Sequence, residues 1–382
     1  MKPGWEVKTL GELCEILDRL RKPITKRNRV SGPYPYYGAT GVLDHVEGYL
    51  FDEMLVLLGE DGAKWEPGAN SAFSIEGKTW VNNHAHVMRP NREILDDNWL
   101  IYYLNFSDLM PYVSGMTVPK LNQGSLREIP IPLPPLDEQK RIVSILDEAF
   151  EGLDRARENA EANLKSAREL FESGLDALFA TIRLPQYQTS IGSFSKVFDG
   201  PHATPKTIEK GPVFLGISSL VDGSLDLRKT RHVSDLDYLT WTKRVEPKAR
   251  DVVFSYETRL GQAAIIPEGL KCCLGRRMGL VRLETDKVMP KFFLFQYLTP
   301  TYQKFLRSKV VEGATVDRIH LKHFPNFPMF VPPIETQQAV IKRLEEFLGC
   351  SDKVTSGQAS KLQDISDLRQ SLLQKAFAGE LT

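Results

Sequence analysis

Side chains able to do chemistry gather in a few short stretches of this 382-residue chain. Glu60 and Asp61 stand together before Gly62, and Asn82, Asn83, His84 and His86 form a second group. Arg276 adjoins Arg277, while Arg19, Arg21, Lys22, Lys26, Arg27 and Arg29 make a dense basic run. These types suit a nucleic acid: asparagine pairs with adenine, a carboxylate accepts from the cytosine amino group, and clustered cations displace counterions from phosphates. His84-Ala-His86 on a strand would set two imidazoles on one face, the beginning of a metal site, but no cysteine or evident carboxylate partner is near; a polar or nucleic-acid-contacting surface is the simpler expectation. Arg276 and Arg277 on a short strand would point to opposite sides, so at most one could reach a base edge. Plainer alternatives stand beside each: a tight turn at Glu60-Asp61, a solvated loop for the basic run, and packing of the arginines against carboxylates of their own domain.

Motifs of catalysis are missing. Ala72-Phe-Ser-Ile-Glu-Gly-Lys-Thr79 approaches a phosphate-binding loop, yet alanine replaces the first glycine and Trp80-Val81-Asn82 continues as strand rather than helix. There is no G-x-S-x-G, H-E-x-x-H or G-x-G-x-x-G, and no Asn-Pro-Pro-aromatic tetrapeptide of the kind amino-methyltransferases use. The expectation is a non-catalytic chain with no metal and no bound cofactor. Cys14, Cys272, Cys273 and Cys350 lack C-x-x-C spacing, so they are expected to be reduced thiols. The longest apolar stretch, Met54 to Leu58, is too short to span a bilayer, and the N-terminus lacks a signal-peptide core; a cytoplasmic protein with no membrane partner is expected.

The elements that must position these groups are written twice. Ser114-Gly-Met-Thr-Val-Pro-Lys-Leu121 lies over Glu312-Gly-Ala-Thr-Val-Asp-Arg-Ile319 at an offset of about 198 residues, without a gap. The same offset sets Ile129-Pro-Ile-Pro-Leu-Pro-Pro-Leu136 on Phe327-Pro-Met-Phe-Val-Pro-Pro-Ile334, Gln139 on Gln337, and Phe179 on Phe377. No proline occurs between Pro135 and Pro185 or after Pro333, and apolar or small residues recur at helical period, as at Ile142, Leu146, Ala149 and Leu153 and, in the copy, Val340, Leu344 and Phe347. Forty such residues make a rod of roughly 60 Å, too long for one small core. The other rod is its simplest partner, in an antiparallel, coiled-coil-like pair related by a pseudo-twofold axis. Asp137, Glu138 and Glu335 suit the positive ends of these helices.

Residues 1–135 and 184–333 differ from the rods: they are rich in Gly, Pro and aromatics, with short β-type runs at Glu53–Leu58, Trp80–Val81, Asp251–Phe254 and Gly279–Leu283. Each ends in a helical stretch, Asn98–Leu109 and Pro290–Leu306. The expected fold class is therefore α+β, with two variable α/β domains, 1–135 and 184–333, separated by helical spacers at 136–183 and 334–382. The whole chain carries no net charge, 49 basic against 49 acidic groups, but residues 183–333 hold 23 basic and 14 acidic groups. Any nucleic-acid affinity must come from such local placement.

Several motifs together resemble the specificity subunit of Type I restriction-modification systems. In the first half they are Tyr34-Pro-Tyr-Tyr-Gly-Ala-Thr-Gly41, Leu58-Gly-Glu-Asp-Gly62, Trp80-Val-Asn-Asn-His-Ala-His86, Pro119-Lys-Leu-Asn-Gln123 and Ile131-Pro-Leu-Pro-Pro-Leu-Asp-Glu-Gln-Lys-Arg-Ile142. In the second they are Asp199-Gly-Pro-His-Ala-Thr-Pro205, Phe214-Leu-Gly-Ile217 and Cys273-Leu-Gly-Arg-Arg-Met278. The resemblance implies two target-recognition domains that read an asymmetric bipartite sequence in double-stranded DNA. It further implies docking of two methyltransferase subunits that carry S-adenosylmethionine, joined by restriction/translocase subunits. The second helix start reads Val-Pro-Pro-Ile-Glu-Thr-Gln-Gln338, a departure from the first that bears on whether both contact partners alike.

On this reading Tyr36, Thr40, Glu60, Asp61, Asn82, Asn83, His84 and His86 lie near bases in the first domain, and His202, Thr204, Arg259, Arg276 and Arg277 in the second. Lys22, Lys26, Arg27, Lys120, Lys206, Arg318 and Lys322 are expected at the DNA backbone. The helices would act as a ruler matching the two domains to the helical repeat of the duplex. A coiled-coil scaffold whose variable domains bind protein partners is the rival class.

Overall fold

The computed structural model describes residues 2–115, 117–311 and 316–381. Met116 and Glu312–Thr315, part of the repeated 114–121 and 312–319 motif, lie outside the described residues. The chain forms two compact units, residues 1–161 with 359–382, and residues 162–358, so each unit takes in the start of one long helix and the end of the other. The helices run Leu136–Ala180 and Ile334–Ala378, 45 residues each, close to the expected spacers.

Unit 1 is built on a sheet of four strands, β1 (Cys14–Ile16), β2 (Leu55–Gly59), β3 (Ala72–Ile75) and β4 (Ala85–Pro90), in the order β1-β4-β2-β3. Every residue of β2 is buried, as expected for a central strand written Leu-Val-Leu-Leu-Gly. A second sheet holds Ser31–Gly38, Gly41–Val46, Lys78–Val81 and Phe51–Asp52. Lys78–Val81 pairs parallel with Ser31–Gly38, so the Ala72–Thr79 segment is two strands of different sheets rather than a phosphate-binding loop. The helix Asp97–Phe106, capped by the Asp96 carboxylate accepting the Asn98 and Trp99 N–H groups, packs on this core.

Unit 2 repeats the plan with little shared sequence. Its sheet is β5 (Ser195–Asp199), β6 (Val252–Ser255), β7 (Ala263–Ile265) and β8 (Met278–Leu283), ordered β5-β8-β6-β7. Here too a short strand, Cys272–Leu274, pairs parallel with a long one, Ile208–Leu215. The expected Pro290–Leu306 helix is two helices, Pro290–Leu298 and Pro300–Arg307, because Pro300 cannot donate to the first and instead starts the second. Arg276 and Arg277 are not on a strand: they form the turn between Cys272–Leu274 and β8, with Arg277 at φ +65°.

The helices pack against each other inside each unit. In unit 1 the Arg369 guanidinium lies 4.2 Å from the centre of the Phe150 ring and 3.1 Å from the Asp154 carboxylate. In unit 2 the Phe171 and Phe347 rings stack at 5.7 Å, and Gly174 admits the Phe347 ring where any Cβ would clash. Numbers rise on one helix as they fall on the other, so the pair is antiparallel. Leu146, Phe150, Ala376 and Phe377 continue into the core of unit 1, and Leu175, Phe179, Val340, Ile341 and Leu344 into that of unit 2.

One residue fastens each helix start to its domain. The Gln139 amide donates to the Ile94 and Pro134 carbonyls, both at 2.8 Å, and accepts the Asp96 N–H at 2.9 Å. Gln337 does the same with the Lys287 and Pro332 carbonyls, both at 2.8 Å, and the Met289 N–H at 3.0 Å. Both side chains are fully buried. Removing either amide leaves three backbone groups without partners, each of which is expensive to bury. Gln139→Ala or Gln337→Ala is therefore expected to lower the unfolding free energy by about 3 kcal/mol, measured by urea denaturation; a loss below about 1 kcal/mol would show that water replaces the fork.

Candidate nucleic-acid interface

The chemistry-bearing residues converge where the central strands of each sheet end. In unit 1, β2 pairs with β4 so that Leu58 faces His86 and Gly59 faces Ala85. The chain leaves β2 through Glu60 and Asp61 and enters β4 through Asn83 and His84. The Glu60 N–H donates to the His84 carbonyl at 2.8 Å, and the Leu121 N–H to the Glu60 carbonyl at 2.8 Å, which brings Lys120 into a bridge with Asp61. Around this frame His84 pairs with Asp61, Lys120 reaches Glu60 at 2.7 Å, and Arg21 pairs with Glu60 and, at 3.3 Å, with Asp18.

Unit 2 builds the same frame from other side chains. Phe254 faces Gly279 and Ser255 faces Met278, so Tyr256 and Glu257 take the places of Glu60 and Asp61, while Arg276 and Arg277 take those of Asn83 and His84. The Tyr256 N–H lies 3.5 Å from the Arg277 carbonyl, the Ile319 N–H donates to the Tyr256 carbonyl at 3.0 Å, and Arg318 bridges to Glu257. Arg277 pairs with Glu257 at 3.2 Å as His84 does with Asp61. By register in the first strands, Asp199 corresponds to Asp18. Three residues on, His202 pairs with Asp199 at 2.8 Å, as Arg21 does with Asp18. Asp199 also accepts from the Tyr256 hydroxyl at 2.8 Å, which together with burial raises the Tyr256 pKa.

Several expected base contacts are corrected by burial. His86 does not share a face with exposed His84: it is fully buried, its ring nitrogens 2.6 Å from the Asp18 carboxylate and 2.7 Å from the Leu121 carbonyl. Tyr36 is buried, its hydroxyl accepting the Ile24 N–H at 2.9 Å. Asn82 is buried, accepting the His84 N–H at 2.7 Å to shape the turn. Glu60 is buried between Arg21 and Lys120. Neither these four side chains nor Lys120, partly committed to Glu60, are free as they stand. Asp18, Glu60 and His86 bring ligand-type atoms within 4.8 Å of one another. Arg21 and Lys120 already neutralise those carboxylates, so a metal cation would meet two fixed positive charges, and the group is better described as a buried polar lock.

Thr40, Asn83, His202, Thr204, Arg259 and Arg276 are exposed, and Asp61 and Arg277 partly so. Lys22, Lys26, Arg27, Lys206 and Lys322 are exposed and, among the described residues, carry no ion pair. The basic run is not a free loop: the Trp80 indole donates to the Lys22 carbonyl at 2.6 Å, and the Arg29 guanidinium covers the Tyr36 ring at 4.5 Å. Arg318 is partly buried. Asp18, Asp199, Tyr256 and Glu257 are the members that residue types alone did not single out. The pairing of Lys120 with Arg318 at the repeat offset was the available signal, since two repeated cations demand two repeated acids. Cys14, Cys272 and Cys273 are buried free thiols whose pKa values burial pushes up to about 12, and Cys350 is an exposed free thiol. No helix among the described residues is long and apolar enough to cross a membrane.

The family model for the Type I restriction modification DNA specificity domain matches residues 2–164 and 228–363. A type I restriction enzyme specificity subunit inferred in Haemophilus influenzae is 28% identical over 365 residues, covering 92% of this chain and 90% of that one. The EcoDI specificity subunit of Escherichia coli is 22% identical over 410 residues, covering 99% and 89%. Among solved structures, a chain from a type I R-M system studied for complex assembly and conformational transition superposes with a TM-score of 0.74 at 20% identity, covering 100% and 99%. The HsdS subunit from Thermoanaerobacter tengcongensis gives 0.52 at 20% identity, covering 100% and 98%.

Two predictions come from this geometry. Burial works to raise the Asp18 and Glu60 pKa values, but hydrogen bonds and charge from His86 and Arg21 on the one, and Lys120 and Arg21 on the other, hold both below the usual carboxylate range. A carboxyl lowered on folding stabilises the native state above its unfolded value, about 4, and that contribution drains away as pH falls through the folded value. Asp18→Asn should flatten the acid limb of stability below about pH 5, followed by urea midpoints; an unchanged limb would refute the lock. Thr258, at φ +63°, occupies the position that Gly62 fills at φ +69° in unit 1. A β-branched residue is strained there, so Thr258→Gly should add about 1 kcal/mol of stability; a lower melting temperature would contradict this.

Proposed function

This chain belongs to the Type I restriction-modification DNA specificity family, and from that premise we propose that it reads an asymmetric, bipartite sequence in double-stranded DNA with one half-site per unit. The observation that carries this reading is the twofold frame at the strand ends. The same backbone hydrogen bonds, and an acid paired with the second turn residue, occur in both units, while the side chains at the exposed rim differ, Asn83 and His84 in one and Arg276 and Arg277 in the other. Equal frames with unequal rims suit recognition of two unlike sequences by one kind of module.

Within this proposal Thr40, Asp61, Asn83 and His84 face bases in one half-site, and His202, Thr204, Arg259, Arg276 and Arg277 in the other. Lys22, Lys26, Arg27, Lys206 and Lys322 contact phosphates, with Lys120 and Arg318 bordering the site. Phosphate contacts hold register and the rim carries sequence information. The chain itself is not a catalyst. Two methyltransferase subunits holding S-adenosylmethionine dock on it, restriction/translocase subunits join them, and the complex works in the cytoplasm. The long helices set the separation of the half-sites. The same premise leaves the peptide-binding scaffold without support.

Single-molecule methylome sequencing of cells with and without this chain tests the proposal: one asymmetric bipartite adenine-methylation motif should vanish on deletion, and an unchanged methylome would defeat it. Inserting about four residues, one helical turn, at 155–165 should change the spacer between half-sites in any variant that remains active.

A further inference from the structure

Resting on the reading of this chain as a DNA specificity subunit, we infer that Asn83 reads an adenine in one half-site and Arg276 a guanine in the other. The two residues are structurally equivalent, each the first exposed residue of the turn entering β4 or β8. In both turns the second residue is paired with an acid of its own domain, His84 with Asp61 and Arg277 with Glu257. In both, the first residue is exposed and, among the described residues, its side chain makes no hydrogen bond or ion pair. A side chain that must read a base edge needs this combination: a fixed backbone beneath it and an unspent set of donors and acceptors above.

The backbone is fixed at each turn. In unit 1 the His84 N–H is held by the Asn82 side chain, and the His84 carbonyl by the Glu60 N–H. In unit 2 the Met278 N–H lies 3.4 Å from the Gly275 carbonyl, closing the turn. An acid stands at each turn but is already paired with the second residue, Asp61 with His84 and Glu257 with Arg277. The unpaired cations that suit phosphates, such as Lys22, Lys26 and Lys206, belong to other segments. The chemistry then selects the base: an amide offers one donor and one acceptor in a plane, matching adenine N7 and N6, and a guanidinium offers two parallel donors, matching guanine O6 and N7.

The test uses the complete complex with its methyltransferase partners and selects bound DNA from pools with each half-site randomised in turn. Arg276→Ala should reduce preference for one guanine by about 10- to 100-fold and leave the other half-site intact. Asn83→Ala should do the same at one adenine, and Asn83→Arg should convert that position to guanine. An unchanged motif, relaxation at some other base, or loss of all binding at an unchanged melting temperature would each overturn the assignment. Failure of the wild-type complex to select any sequence would overturn the parent reading as well, which separates the two failures.

Discussion

A single buried amide decides how this protein is put together. The Pro134 carbonyl lies ahead of the first helical turn, where the Gln139 amide reaches it, and the neighbouring segment brings the Ile94 carbonyl and Asp96 N–H to the same place. Gln139 answers both at once, bonding the Pro134 carbonyl behind it and the Ile94 and Asp96 backbone beside it. Because Asp96 also caps the helix Asp97–Phe106, the long helix and the domain helix share one fixed junction. Gln337 makes the same junction beside Met289, the residue preceding the helix Pro290–Leu298. Three directional bonds thus act with the buried apolar face, Ile142, Leu146 and Phe150 in one rod and Val340 and Leu344 in the other, where each rod leaves its domain.

From that junction outward, the two units separate what must be common from what must differ. The strand Pro130–Leu133 pairs with Glu6–Thr9, and Pro328–Phe330 with Gln188–Ser190, so the segment before each helix closes its own domain. Matching carbonyls on these strands are satisfied by unlike side chains, the Trp99 indole at Pro132 and the Gln296 amide at Phe330. The strand-end frames follow the same logic. Backbone bonds and the acid paired with the second turn residue are kept, whereas Glu60 becomes Tyr256 and His86 becomes Gly279. Where Glu60 and His86 join an ionic lock with Asp18, Tyr256 supplies a neutral hydroxyl to Asp199 instead. A frame that survives such exchange leaves its rim free to vary.

The rods, their antiparallel pairing and the α+β class were legible because helical periodicity and a gapless repeat are local, one-dimensional signals. So was the alignment of Gln139 with Gln337 at the repeat offset. Burial was not legible. His84 and His86 are two residues apart in a polar stretch, yet one is half exposed and the other has no exposure at all. Nothing in their spacing shows that Asp18, 68 residues away, waits to receive the second.

What the sequence by itself determined is the order of parts: two variable domains, two long helices, and a basic second half, each written in residue type and period. What only the tertiary structure decided is which polar side chains are spent on one another and which are left free. Pairs such as His84 with Asp61 and Arg277 with Glu257 depend on strand register, which joins residues far apart in the chain. A free Asn83 or Arg276 is defined by those pairings, and a hydrogen bond is a fact of distance and angle that no linear pattern records.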